Sequence, residues 1–143
     1  MATDRTTLER RARDEAVLAE LRANGGRRSD GEPLVVLHTT GARSGQAHIK
    51  PVCVREDGDD LVIAGTAGGQ ARHPQWYTNL VAHPEITVEY LGETFPVRAE
   101  TVPNSPDRDR LFAMMDGAIP GIYGYQDRCR DHRQIPIVRL VRR

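Results

Sequence analysis

The chain has 143 residues, with 20 basic and 20 acidic side chains that cancel to a formal net charge of zero at pH 7. The length suits one domain over residues 1–143 with its own core, and the balanced charge argues against the broad basic surface of a non-specific nucleic-acid binder. No apolar run approaches the roughly twenty residues of a membrane span, and two cysteines without a Cys-x-x-Cys spacing favour a reducing, cytoplasmic location.

The first predicted element is a helix at about residues 6–24. Thr6 and Glu9 have the spacing of a capping box, and the run Asn24-Gly25-Gly26 suits a left-handed helix end. The apolar positions between them form only a weak stripe, so we expect the helix to pack on the rest of the domain. Peripheral membrane contact through this helix is disfavoured, because its polar face mixes arginines with carboxylates.

Apolar and alternating runs after the helix predict about six β-strands. Turn residues at Gly41 to Gly45 and at Asp57 to Asp60 divide the first three into consecutive hairpins. Short turns without a repeated strand-helix-strand pattern favour an antiparallel barrel over a parallel sheet. The predicted strands span residues 34–39, 46–55, 61–66, 86–91, 94–102 and 135–141.

Two short helices are predicted among the strands. One covers residues 73–83, with a proline near its first turn and Pro84 after its end. The other covers residues 105–115, with Gly117 just beyond it as the residue that stops the helix.

A proline interrupts the second predicted strand. Pro51 has no N–H to donate to a ladder, so we expect a sheet edge or a bulge at this position. A gap there would leave backbone groups free to hydrogen-bond a flat ring. An edge proline without any ligand explains the residue equally well.

Two loops of small residues, each with one arginine, are the strongest functional signal. In the first loop, Gly41 and Gly45 permit left-handed turns, while Ser44 and Arg43 supply a hydroxyl and a guanidinium group. In the second loop, Gly68-Gly69 permits close backbone approach, and Arg72 precedes a helix whose first turn favours an anion. A turn with a solvated arginine explains either loop alone. Together the two loops predict a site for an elongated anionic ligand.

Other chemistries lack their motifs. The first loop is not the Gly-x-Ser-x-Gly elbow of esterases, and neither a Gly-Lys-Ser/Thr phosphate loop nor a Gly-x-Gly-x-x-Gly fingerprint occurs. The five histidines lack metal-ligand spacing, so no metal site is expected. Residues 127–133 mix arginines with aspartates and are predicted to form a solvated loop without a functional role.

The order of the two loop motifs resembles that of a known family. The motifs are Thr39-Thr40-Gly41-Ala42-Arg43-Ser44-Gly45 and, further along, Gly68-Gly69-Gln70-Ala71-Arg72-His73-Pro74-Gln75-Trp76-Tyr77-Thr78-Asn79-Leu80. They resemble the deazaflavin (coenzyme F420)-dependent nitroreductase and quinone reductase family. The resemblance implies a mainly β fold with flanking helices, a split antiparallel β-barrel of the FMN-binding type. It also implies hydride transfer from reduced coenzyme F420 to a quinone, an activated enone or a nitro compound.

The resemblance also implies roles for three groups of residues. The cofactor phosphate and acidic tail are assigned to Arg43, Ser44, Gly45 and Arg72. The ring and ribityl portion are assigned to Pro51, Val52, Thr66, Ala67, Gly68 and Gly69, with Trp76 and Asn79 completing the cofactor-binding set. The substrate is expected to be bordered by Trp76, Ile122 and Tyr125, and the proton that follows hydride transfer is expected from Tyr125 or solvent.

The residues themselves leave other interpretations open. Trp76, the only tryptophan, is also explained as a core residue, and Asn79 as a brace for the first loop. Ile119 and Ile122 replace aromatic residues found in some relatives, which implies a more apolar lid. We therefore expect nitroaromatic substrates that need tyrosine hydroxyls to be reduced poorly.

Two functional alternatives accompany this interpretation. One is an oxidoreductase that uses FMN in the same barrel, and the other is a non-catalytic deazaflavin-binding carrier. Ala42, His48 and Ala67 occupy positions that are often basic in relatives, which leaves the choice of cofactor open. The expected partner is a small electrophile, and both a monomer and a homodimer are compatible with the sequence.

Overall fold

In the computed structural model, which describes residues 5–143 and the side chains from residue 7 onward, one curled antiparallel sheet is flanked by helices. Seven strands and four α-helices lie within this part of the chain. In chain order they are α1 (Arg5–Ala23), β1 (Leu34–Thr40), β2 (Ala47–Cys53), β3 (Arg55–Asp57), β4 (Asp60–Ala64), α2 (Gln75–Ala82), β5 (Glu85–Tyr90), β6 (Glu93–Thr101), α3 (Pro106–Asp116), α4 (Ile122–Cys129) and β7 (Ile137–Arg142), with a 3-10 turn at Ala67–Gly69.

The strand order is β2-β1-β5-β6-β7-β4-β3, and every neighbouring pair is antiparallel. Only Val54 separates the two edge strands, β2 and β3. One continuous stretch of chain therefore pairs first with β1 and then with β4, which curls the sheet into a barrel. The predicted split-barrel class is confirmed, and the count of seven strands rather than about six arises because Val54 divides the predicted strand at residues 46–55.

The barrel is split on one side of β4. Pairing between β3 and β4 ends at Arg55 and Val62. Past that point, within residues 5–143, the outer edge of β2 and the adjacent edge of β4 have no strand partner. Pro51, which pairs with Val36 of β1, lies on this edge, as expected. We call the opening between β2 and residues 63–72 the split.

Buried apolar residues form one cluster inside the barrel and two smaller ones outside it. The inner cluster includes Leu37, Ile63 and Trp76. The second packs α3 and α4 against β4 and β7, and the third packs α1 against β1. The split therefore runs beside a well-packed core, which makes its walls rigid.

The α1 helix packs on the outside of the sheet. Lys50 forms an ion pair with Asp14 at 2.8 Å, and the glycines after the helix have positive φ, with the Gly26 N–H donating to the Leu21 carbonyl at 2.8 Å. This confirms the predicted helix end. The predicted capping box lies outside the described residues, because the Thr6 side chain is not among them. No helix in the described part of the chain has the length and apolar character needed to span a bilayer.

The sequence did not predict α4. Residues 122–129 were expected to form part of a lid and of a solvated loop, whereas they form a helix anchored by Ile122 and Cys129, both fully buried. Gly124 and several polar residues weaken the helical pattern, so packing against α3 and the barrel stabilises this helix rather than intrinsic propensity. The other predicted elements lie within about two residues of the observed bounds.

An ion-pair network joins the β3–β4 turn to β7 and α3. Asp57 accepts hydrogen bonds from Arg110 and Arg139, both at 2.9 Å. The same two arginines donate to Asp107 at 2.7 and 3.2 Å. Hydrogen bonds from Arg110 and then from Arg139 hold the pKa of Asp57 well below its usual range.

We expect the variant D57N to lower the Tm at pH 7 by on the order of 2–4 °C, because Asp57 belongs to a network rather than to an isolated surface pair. The pKa of Asp57 is lower in the folded than in the unfolded protein. Its contribution is therefore complete above the unfolded pKa of about 3.9 and is lost as the pH falls toward the folded-state value. Circular dichroism melts across this pH range should show the Tm difference shrinking in acid.

The matched control is D59N, which makes the same chemical change at an exposed residue of the same turn. It should melt like the unmodified protein. Equal melting temperatures for D57N and the unmodified protein at pH 7 would contradict the proposed contribution of the network.

Candidate functional site

The two loops predicted from the sequence both border the split. The first, residues 41–46, joins β1 to β2, and the second, residues 65–72, follows β4 and precedes α2. The edge of β2 forms one side of the split, with Pro51 and Val52 half-buried on it. The structure thus brings the predicted phosphate and ring segments to one opening.

The first loop is a tight turn closed by its own backbone. The Gly41 N–H donates to the Gln46 carbonyl at 2.8 Å, and the N–H of Gly45, whose φ is +69°, donates to the Gly41 carbonyl at 3.0 Å. The Ser44 hydroxyl accepts from the Gln46 N–H at 3.1 Å. Its oxygen therefore stabilises the turn. Arg43 is exposed and has no ion-pair or hydrogen-bond partner within residues 5–143.

Asn79 of α2 connects the first loop to the helix that follows the second. Its side chain is buried, with 2% of the residue exposed. The amide oxygen accepts from the Ala42 N–H at 3.0 Å and from Gln75 at 2.9 Å, and the amide nitrogen donates to Thr39 at 3.3 Å. These contacts agree with the interpretation of Asn79 as a brace. Asn79 therefore ties the first loop to the helix that follows the second loop.

The second loop has an unusual backbone. Ala67, Gly68 and Gly69 have φ angles of +44°, +62° and +79°, so three successive residues are left-handed. A Cβ atom at Gly69 would lie 2.8 Å from the Tyr125 carbonyl oxygen, whereas one at Gly68 would meet nothing within 4 Å. Gly69 is thus required by packing on α4, and Gly68 leaves open space beside the loop.

Arginines from the segment predicted to be a solvated loop bind the second loop. Arg133 donates to the carbonyls of Gly65, Thr66 and Gln70 at 2.8, 2.7 and 2.9 Å, and Arg128 donates to the Gly68 carbonyl at 2.9 Å. The prediction that residues 127–133 form a solvated loop is therefore wrong, because α4 extends to Cys129 and both arginines bind backbone carbonyls. No local sequence pattern indicates these bonds, because they join residues 60 or more positions apart.

His73 lies beside the same guanidinium group. Its Nδ1 accepts from Arg133 at 3.2 Å, and its ring meets the Tyr77 ring edge-on at a centroid distance of 4.9 Å. Burial, and then the charge of Arg133, lower the pKa of His73. The neutral ring thus remains an acceptor for Arg133 at neutral pH.

The other residues predicted to form the site differ in their exposure to solvent. Arg72 is exposed, and within the described residues it has no ion-pair or hydrogen-bond partner. Tyr125 is half-buried on α4, beside the second loop. Trp76 is 9% exposed and packs in the barrel core, and Ile122 is fully buried. The expectation that Ile122 forms part of an exposed lid is corrected, because its side chain anchors α4 in the core.

A separate groove of about 500 Å³ lies between α3 and α4. Arg108, Phe112, Tyr123, Gln126 and Arg130 are among its lining residues. None of the residues assigned to the cofactor or substrate lines this groove. The residues predicted for the cofactor and the substrate therefore lie outside this groove.

Comparison with known proteins agrees with the fold and with the loop motifs. A family model described as F420H(2)-dependent quinone reductase matches residues 10–142. An F420H(2)-dependent quinone reductase of Mycobacterium tuberculosis is 37% identical over 113 residues, which cover 78% of this chain and 74% of that protein.

Two solved structures are also similar. An F420-H2 dependent reductase superimposes with a TM-score of 0.66 and 28% identity, covering 76% of this chain and 93% of that one. A structure described as a domain-swapped dimer superimposes with a TM-score of 0.67 and 25% identity, covering 90% of this chain and 98% of that one.

We expect N79A to destabilise the protein by about 1–3 kcal/mol, because it leaves the Ala42 N–H without its acceptor inside the structure. Urea unfolding measures this difference. T78A, at the exposed neighbouring position of the same helix, is the control and should change stability by less than about 0.5 kcal/mol. Equal stability of N79A and T78A would show that the brace contributes nothing.

Proposed function

The chain belongs to the F420H(2)-dependent quinone reductase family, and we propose that it reduces a small electrophile, such as a quinone, an activated enone or a nitro compound, with reduced coenzyme F420. The bound cofactor supplies the hydride, while the protein supplies binding, orientation and exclusion of water. The observation that carries this proposal is the split, an unpaired strand edge facing a glycine-rich loop, with two arginines on adjoining loops.

The split suits an elongated anionic cofactor at both of its walls. The unpaired edge of β2 offers backbone groups to a flat ring near Pro51 and Val52. On the other wall, the open space beside Gly68 allows a ligand to approach the backbone closely. We assign the ring and ribityl portion to these two walls.

The arginines suit the charged end of the cofactor. Arg43 and Arg72 are exposed, and neither is neutralised by a carboxylate within the described part of the chain. A guanidinium without a partner is free to bind phosphate or carboxylate in a bidentate manner. Because the two groups lie on different loops, they suit a long anion with several charges better than the single phosphate of FMN.

Tyr125 is the residue of α4 that we place beside the electron acceptor. It is half-buried next to the second loop, and its hydroxyl is suited to donate a hydrogen bond or, alongside solvent, a proton after hydride transfer. Ile122 and Trp76 are buried, so we assign them the support of the wall rather than direct contact with the acceptor.

We expect the double variant Arg43→Ala and Arg72→Ala to bind oxidised F420 at least about tenfold more weakly, because two charge-assisted contacts are lost. Its Tm should be unchanged, since both residues are exposed and have no hydrogen-bond or ion-pair partner among residues 5–143. Fluorescence titration at two salt concentrations measures the affinity, and the difference between the proteins should narrow at high salt.

The control is the double variant Arg98→Ala and Arg130→Ala, which removes the same charge from exposed positions on β6 and in the groove between α3 and α4. It should bind F420 like the unmodified protein. Equal loss of affinity in both double variants would indicate a general charge effect and would contradict the assignment of the two loops.

We expect the protein to discriminate between classes of electron acceptor. Absorbance assays with reduced F420 should show turnover of quinones and enones, and slow turnover of nitroaromatic compounds. The reason is that Tyr125 is the aromatic residue retained beside Gln126, while Ile119 is apolar and the buried Ile122 offers the acceptor no hydroxyl. Rapid nitroaromatic turnover would contradict this specificity. Binding of F420 without turnover of any acceptor would favour a carrier, and tightly copurifying yellow flavin would favour an FMN enzyme.

A further inference from the structure

Arg133 controls the orientation of three peptide groups in the second loop. Its guanidinium donates to the carbonyl oxygens of Gly65, Thr66 and Gln70 and to the His73 ring. All of these acceptors lie on one stretch of chain, and the guanidinium is half-buried against it. Such a set of bonds uses the planar, five-donor geometry of arginine, which lysine does not reproduce.

The amide groups of the same peptides point the other way. No peptide bond in the described chain is cis, so each carbonyl and the N–H of the following residue point in opposite directions. Because the three carbonyls bound by Arg133 point toward it, the N–H groups that follow them point away from it. These are the N–H groups of Thr66, Ala67 and Ala71. Within residues 5–143 none of these three N–H groups has a hydrogen-bond acceptor.

The direction away from Arg133 is the direction of the split. The Gly65 N–H donates to the Pro136 carbonyl at 3.0 Å, which extends the pairing of β4 with β7. Arg133 donates to the carbonyl of that same residue, Gly65, at 2.8 Å, which places its guanidinium on the β7 side of the second loop. The opposite side of β4 is the one that faces β2 across the split.

We propose that Arg133 is a positioning residue, which turns the N–H groups of Thr66, Ala67 and Ala71 into the split as donors for oxygen atoms of the bound deazaflavin. This inference rests on the proposed function. In either case the hydrogen-bond acceptor on the ligand is an oxygen atom, which is anionic in the phosphate and neutral in a ring carbonyl. Thr66 has right-handed backbone (φ −74°) and Ala67 has left-handed backbone (φ +44°), and adjacent N–H groups in such a pair form a concave donor site.

Arg128 supports the same arrangement from α4. It donates to the Gly68 carbonyl at 2.9 Å, and its aliphatic portion would lie 3.0 Å from a Cβ atom at Gly69. Arg133 thus binds the chain just before and just after the left-handed residues 67–69, and Arg128 binds the middle one, Gly68. A donor set held in this way needs little reorganisation when the ligand binds.

The test compares R133K with R130K by fluorescence titration with oxidised F420. Both variants keep the charge, but Arg130 is exposed, and its guanidinium has no hydrogen-bond or ion-pair partner within the described residues. We expect R133K to bind F420 at least about tenfold more weakly, equivalent to about 1.4 kcal/mol, and R130K to bind normally. Should R133K not fold, R128A is the second variant, with a smaller loss expected.

Two-dimensional amide NMR separates positioning from mere support of the fold. In the unmodified protein, the N–H signals of Thr66, Ala67 and Ala71 should shift when F420 is added. In a folded R133K variant these shifts should be much smaller, while signals from β2 still respond. A titration with a deazaflavin riboside that lacks the phosphate and tail identifies which oxygen accepts these hydrogen bonds. If the acceptor is a ring carbonyl, R133K should bind the riboside more weakly than the unmodified protein does. If it is the phosphate, the two proteins should bind the riboside equally.

The proposal is overturned if folded R133K, or folded R128A where R133K fails to fold, binds F420 with unchanged affinity. It is also overturned if the three amide signals do not respond to F420 in the unmodified protein. If the unmodified protein does not bind F420 at all, the proposed function is refuted and this inference with it. The first two results leave the function intact, so the two failures are distinguishable.

Discussion

The structure depends on a change of strand partner at Val54. One stretch of chain pairs with β1 on one side of this residue and with β4 on the other, so the sheet must curl to satisfy both ladders. The same change ends the pairing of β4 with β3 at Val62. The backbone groups left without a ladder partner lie on the facing edges of β2 and β4. Water or a ligand must bind them wherever they are shielded from solvent, because a buried unpaired backbone group is costly. The split is therefore a direct consequence of the topology.

Two side chains hold the loops that border this opening, and both act through the backbone. Asn79 binds the first loop at Ala42, and Arg133 binds the second loop at three carbonyls. Their hydrogen-bonding groups are occupied by protein, whereas Arg43 and Arg72 have no partner in the described chain. The arginines thus divide into those that hold the loops and those available to an anion, a division that a zero net charge conceals.

Sequence patterns predicted most of the strands because alternation and turn residues are local properties. The hairpins around Gly41 to Gly45 and Asp57 to Asp60, and the end of α1 at Gly25 and Gly26, depend on residues within a few positions of one another. Helix α4 was missed because Ile122 and Cys129 stabilise it through contacts with distant elements. For the same reason Ile122, expected in a lid, lies in the core.

The sequence by itself determined the split-barrel family, the two glycine-containing loops and the arginines placed on them. Only the tertiary structure decided which polar groups are occupied and which are free. Gly69 illustrates the difference: its close approach is to α4, not to open space, although its sequence context is the same as that of Gly68. The direction of an amide and the partner of a guanidinium depend on hydrogen bonds between residues more than sixty positions apart, and no short motif encodes these distances.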